Sequence, residues 1–297
     1  VIRRILLPIG LSAAVVLAGC AVASPAPGGG PVVHPGGTAV VVRVEYTGGL
    51  VPYETIFTSL PHFNLFGDGR VILQGPVSEQ YPGPALPNLL VRRLTEEGIQ
   101  SVIQRVTETG LFETSQSFTG ASQVVADAQS TVFTLRADSR ETIVDVYALG
   151  FFIEGEAPDG ISEEEVAAHE ALTALQVDLV NIESWMPADD WAEADWLPYV
   201  PTAFRLLVSN ADDQPPLPEE GEPMPWPGST PPDEIGEESP LQGVRCGLVM
   251  GDEAAAWHEA LSEANQLTKW TYEGHVYRVT PRPLLPDEVL DCGPAAG

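Results

Sequence analysis

The chain has 297 residues, 44% of them hydrophobic, enough for one large core or two modest ones. Its 42 acidic residues outnumber 14 basic ones, giving a formal charge of −28, and Lys269 is the only lysine. Such a field repels nucleic acid and anionic headgroups while attracting cations and basic partners, so nucleic-acid binding is excluded as a function class.

Residues 1–19 are laid out as a secretory signal: Arg3 and Arg4, an apolar run over 5–18, then small residues before Cys20. A helix over that run reaches about 21 Å, short of a roughly 30 Å hydrocarbon core, and Pro8 and Gly10 interrupt it. The tetrad Leu17-Ala18-Gly19-Cys20 resembles the lipobox of bacterial lipoproteins. That resemblance implies a diacylated (palmitate-type) Cys20 as the mature N-terminus, held at the extracytoplasmic face of the cell membrane. Two acyl chains anchor stably where one is marginal, each buried methylene adding about 0.8 kcal/mol. Loss of Arg3 and Arg4 with the signal takes the formal charge from −28 to −30. Residues 20–37 then form a Pro/Gly-rich tether that cannot bury enough to fold, and no other long apolar run follows.

A first α+β domain is expected over residues 38–185, built from antiparallel hairpins with packed helices. Residues 38–46 are rich in β-branched side chains and read as a strand. A second strand ends at Phe66, Gly67-Asp68-Gly69 turns the chain, and Val71 to Leu73 returns. After a loop over 82–87, Thr95 caps a helix and Leu94 can staple to Ile99. Ile99, Val102, Ile103 and Val106 make its apolar face, and Gly110 suits its stop. Residues 132–137 and 142–149 form a hairpin about Asp138-Ser139. Ser162 with Glu165 is a capping box for a long helix to about Trp185, with Leu172, Leu175, Leu179 and Ile182 as its buried stripe.

The order from Phe66-Gly67-Asp68-Gly69-Arg70-Val71 through the Thr-capped helix to Gly110-Leu111-Phe112 carries a resemblance. Asp127-Ala128, Thr131, Thr134, Leu135, Val144, Val146 and Tyr147 complete it. Roughly residues 40–185 resemble exported bacterial domains of unknown function, including some from high-GC Gram-positive lineages. The resemblance implies fold and location and carries no activity.

Residues 186–209 read as a Trp-rich connector and a strand. Residues 210–243 hold nine prolines and nine acids with no base, and read as an extended, mobile acidic loop. Residues 244–297 read as a second small α+β unit: a strand over 244–250, a helix over about 253–267, and a hairpin about Glu273-Gly274. With Cys20 acylated, Cys246 and Cys292 remain as an even pair in an oxidising compartment, which predicts a disulfide.

Catalytic patterns fail on particular residues. His169-Glu170 and His258-Glu259 begin like a zinc-protease helix, but Thr173 and Ser262 stand where the second histidine belongs. Gly120-Ala121-Ser122-Gln123-Val124 lacks the final glycine of a nucleophile elbow, and Lys269 follows Gln266 rather than a serine three residues back. Glu154, Glu156 and Asp159 sit in the densest oxygen-rich loop but miss the EF-hand register, leaving a weak divalent-cation site at most. Trp226, between two prolines, is a candidate partner anchor if exposed; the competing expectation folds it onto the body. No catalytic residue and no cofactor is assigned. The expectation is a lipid-anchored, non-enzymatic binding or interaction protein of the cell envelope, with an unknown protein or small-molecule partner. The alternatives are a carboxylate-dependent envelope hydrolase and a weak divalent-cation binder.

Overall fold

A computed structural model of the chain describes residues 30–151 and 160–292. Among these, the fold is α+β, with 14 strands in two mostly antiparallel sheets and four α-helices. The chain divides after Pro31, and all of these strands and helices belong to the compact unit that begins at Val32.

The first half carries β1 (Val40–Thr47), α1 (Tyr53–Thr58), β2 (Phe63–Phe66), β3 (Arg70–Gln74), β4 (Leu89–Arg93) and α2 (Glu96–Thr107). Next come β5 (Gln116–Phe118), β6 (Ser130–Ala137), β7 (Arg140–Tyr147), α3 (Glu163–Val180) and the short β8 (Leu197–Pro198). Sheet order is β5-β7-β6-β1-β2-β3-β4-β8. The β2–β3 hairpin turns at Gly69, whose φ of +84° favours glycine. Asp138 and Ser139 both take positive φ between β6 and β7, the geometry of a hairpin turn matched to strand twist. Val42, Val44, Phe63, Leu65 and Phe133 bury one face of this sheet against the apolar stripes of α2 and α3. Helix α2 starts as expected, the Thr95 hydroxyl accepting from the Gly98 N–H at 3.2 Å. Helix α3 is capped by Ser162, which accepts from the Glu165 N–H. The reciprocal half of the expected box is absent: the Glu165 carboxylate accepts from the Gly120 N–H instead, pinning a neighbouring turn to the helix start.

The second half carries β9 (Ala203–Asn210), β10 (Met224–Pro225), β11 (Glu237–Glu238), β12 (Val244–Met250), α4 (Gly251–Glu263), β13 (Lys269–Tyr272) and β14 (His275–Pro283). Their order is β10-β13-β14-β9-β12-β11, so the strand expected at the end of the 186–209 stretch is one of the two central strands of this sheet. Phe204, Leu206 and Val208 of β9 pack with Trp257 and Leu261 of α4 and with Trp270 and Tyr277. Cys246 and Cys292 are disulfide-bonded, Cα atoms 5.8 Å apart, tying β12 to the C-terminal segment beside Phe57 and Leu207.

The reading of residues 210–243 as extended and mobile is corrected. Met224 and Pro225 pair with β13, Glu237 and Glu238 pair with β12, and Trp226 and Ile235 are core residues. The buried Glu220 carboxylate meets Lys269 Nζ at 3.2 Å. Asp212 accepts from the Val276 N–H and contacts His275 Nδ1, both at 2.7 Å.

Where the sheets approach one another, the contacts are charged as well as apolar. Arg43 of β1 meets Asp287 at 2.7 Å, and Arg282 of β14 donates to both Glu288 oxygens at 2.5 and 2.8 Å. Arg282 also donates to the Ser59 carbonyl just after α1. Ion pairs with this geometry fix relative placement more than they stabilise it.

Candidate functional site

A groove of roughly 920 Å³ opens where the end of β1, the end of α1, the 76–88 loop and β14 converge. One wall is made by tertiary stitching of the 76–88 loop to the end of α4. The Ala85 N–H donates to the Ala264 carbonyl at 3.1 Å, and the Gln266 N–H donates to the Gly83 carbonyl at 2.9 Å. The other walls are Tyr46, Thr55, Thr58 and Ser59 on one side and Val279, Thr280 and Pro281 on the other.

The lining stands apart from the rest of this acidic chain. Of its 26 residues, Glu79 is the sole acid and none is Lys or Arg, whereas six are amides: Gln74, Gln80, Asn88, Gln129, Asn265 and Gln266. The His62 ring lies 4.2 Å from the Tyr46 ring, and burial holds the imidazole below its usual pKa, so it is neutral at pH 7. The Tyr46 hydroxyl is fixed from behind, accepting from Gln176 Nε2 at 3.0 Å.

A side pocket of about 90 Å³ shares Tyr46, Thr55, Ser59 and Gln129 with the groove and adds Glu45 and Arg282. Burial raises the Glu45 carboxyl above its ordinary pKa, with Arg43 opposing in part and Glu288 and Asp287 reinforcing. Glycosidic hydrolysis by an acid and a base needs two carboxyls facing one bond, about 5–10 Å apart. The groove and its side pocket contribute Glu79 at an exposed loop and Glu45 at the inner end.

The residues singled out in the sequence are not brought together here. Cys20, Glu154, Glu156 and Asp159 lie outside the described residues. Trp226 is 9% exposed, its ring 4.8 Å from Trp257, and its indole N–H donates to the Thr230 carbonyl at 2.9 Å. The partner-anchor reading of Trp226 is therefore corrected: the ring is committed to the core. His169 is buried on α3 near Glu165, and His258 lies on α4 beside Phe204. Among the described residues no group of three or more His, Cys, Asp or Glu side chains is placed to hold a metal ion. No helix among them is long and apolar enough to cross a membrane.

Sequence reasoning missed the groove. Its amides come from three separated stretches of chain, 74–88, 129 and 265–266, and Gln or Asn in a loop carries no signature of its own. Comparison of the chain with protein-family models, curated proteins and solved structures finds no match.

Proposed function

We propose that this chain is an exported protein, lipid-anchored through Cys20 at the extracytoplasmic face of the cell membrane, that binds an uncharged polar ligand in the groove. The anchor rests on the sequence Leu17-Ala18-Gly19-Cys20 behind a signal-like segment. The observation that carries the binding reading is the contrast in charge: 42 acids in the chain, one among 26 lining residues. A site that excludes fixed charge while gathering amides and hydroxyls suits a ligand with neutral polar groups. A role as envelope hydrolase is the second reading, and Glu45 is the observation that favours it: a half-buried carboxyl with a raised pKa beside a cleft has the makings of a general acid.

Two measurements test these readings. Cys20→Ser is expected to move the exported chain from the membrane to the soluble fraction, and persistence in the membrane would overturn the anchor. For the ligand, solubilised envelope material is separated by charge and added to the full chain, and hydrogen exchange is followed. The uncharged fraction is expected to slow exchange over 76–88 and 264–267, with the added material recovered intact. Slowing by charged fractions alone would overturn the neutral-ligand reading. New cleavage products that vanish in Glu45→Gln would transfer the assignment to the hydrolase.

A further inference from the structure

We infer that the ligand class of the groove is an uncharged oligosaccharide. This rests on the groove being the binding site, and adds three observations about its walls.

The first is how the amides are held. Gln74 Nε2 donates to the Leu60 carbonyl at 3.2 Å, and Asn88 Nδ2 donates to the Pro76 carbonyl at 2.9 Å. Each leaves its side-chain oxygen over. Asn265 Oδ1 accepts from the Leu267 N–H at 2.8 Å, and Gln266 Oε1 accepts from the Gly83 N–H at 3.3 Å. Each of these leaves its NH2 group over. Four amides are thus immobilised by one end, and the free ends are two acceptor oxygens and two donor NH2 groups. A sugar hydroxyl both donates and accepts, so it matches such a mixed set; a carboxylate or phosphate, which only accepts, does not. Prior immobilisation also lowers the entropy lost when a ligand docks.

The second observation is the rings. Tyr46 and His62 pack as a pair in the wall, and Tyr81, 65% exposed, stands on the 76–88 loop. Flat faces beside a few oriented polar groups are the usual composition of a small-molecule site, and they suit the apolar C–H face of a pyranose.

The third discriminates against a peptide. Peptides bound by strand addition are held chiefly by main-chain hydrogen bonds to a strand edge. Pro76, Pro84, Pro87, Pro281 and Pro283 line this groove, and none has an N–H to offer. At these five positions the wall cannot donate to a peptide main chain, which leaves more of the recognition to side chains, as for a glycan.

The test uses the full chain in a zwitterionic, sugar-free detergent, because glycosidic detergents would occupy the site. Neutral hexasaccharides of glucose and of N-acetylglucosamine, an anionic oligosaccharide and an uncharged proline-rich hexapeptide are titrated by calorimetry, and hydrogen exchange locates any site. At least one neutral hexasaccharide is expected to bind saturably and protect 76–88 and 264–267. Gln74→Leu and Gln129→Leu are each expected to weaken it about three- to tenfold. Gln129 makes no side-chain bond to the described protein, so its variant keeps the test valid if Gln74→Leu misfolds. Saturable binding that neither variant alters would overturn the inference, as would silence across the neutral sugars. If the peptide alone protects the groove, the ligand class falls while the groove stands as a binding site. If the charge-separated envelope material also leaves it unprotected, both fall.

Discussion

Arg282 and Glu288 form a buried pair within the C-terminal segment, at the place where Arg282 also reaches the Ser59 carbonyl of the first half. Both side chains are nearly closed to solvent, at 1% and 10% exposure, and they share a two-pronged contact. Burial alone would raise the Glu288 carboxyl; the hydrogen bonds and charge of Arg282, with the Leu285 N–H, outweigh it and hold the carboxyl below its ordinary pKa. Removing one partner strands the other without water. Arg282→Ala is therefore expected to destabilise by about 3–5 kcal/mol in urea unfolding, while Arg282→Met combined with Glu288→Leu costs far less. A depressed folded-state carboxyl contributes stability above its unfolded value near 4.5 that is lost as pH falls through the folded value. The penalty for Arg282→Ala should accordingly shrink below that pH. Glu45 has the opposite sign. Its folded pKa is raised, so its contribution is greatest below 4.5 and is lost as pH climbs through the folded value. Glu45→Gln should then raise the melting temperature at pH 7 and leave it unchanged at pH 4. An equal shift at both pH values would mean that charge on Glu45 is not the cause.

Trp226 decides whether the acidic, proline-rich stretch belongs to the fold. Its backbone N–H donates to the Thr271 carbonyl at 2.9 Å, and its ring fills the space between Trp257 and Tyr277. Trp226→Ala should cost about 3–5 kcal/mol. It should also abolish the slow hydrogen exchange of the 226 amide, which wild type should display; fast exchange there in wild type would contradict the docking. Composition misleads in this stretch because disorder is inferred from averages: nine prolines and nine acids without a base describe a chain with little to bury. Docking is settled instead by a few residues, Met224, Trp226 and Ile235, meeting a surface of tryptophans supplied by α4 and β13. Where signals are local, sequence and structure agree. The periodic face of α2, the Thr95 cap, the Asp138-Ser139 turn and the Cys246–Cys292 pair each depend on residues a sequence displays. Short pieces such as β4 and β8 carry little local signal and are defined by their pairing with each other and with β3. The groove is less legible still, since Gln74, Asn88, Gln129 and Gln266 meet only after the 76–88 loop is stitched to the end of α4.

Over the whole molecule, five of the twelve bases among the described residues are spent inside. Side chains of Arg43, Arg92, Arg205, Lys269 and Arg282 are 15%, 10%, 3%, 7% and 1% exposed, each in contact with a carboxylate. The acids left at the surface therefore outnumber the remaining bases more steeply than 42 to 14, and their self-repulsion opposes the compact state. Screening relieves that repulsion: the Debye length falls from about 30 Å at 0.01 M salt to about 8 Å at 0.15 M, shorter than the span of the fold. The internal pairs are shielded from the same ions and lose little. The melting temperature should rise over that range by about 2–4 °C for each kcal/mol of repulsion removed, then flatten as the Debye length drops below the spacing of neighbouring charges. Sodium and choline chlorides should act alike, because screening depends on ionic strength and not on coordination. Calcium matched in ionic strength discriminates further: a larger rise than sodium gives, saturating with concentration, would mark specific binding and revive the divalent-cation alternative. A melting temperature that stays constant or falls between 0.01 and 0.15 M sodium chloride would mean that the acidic surface does not strain the fold.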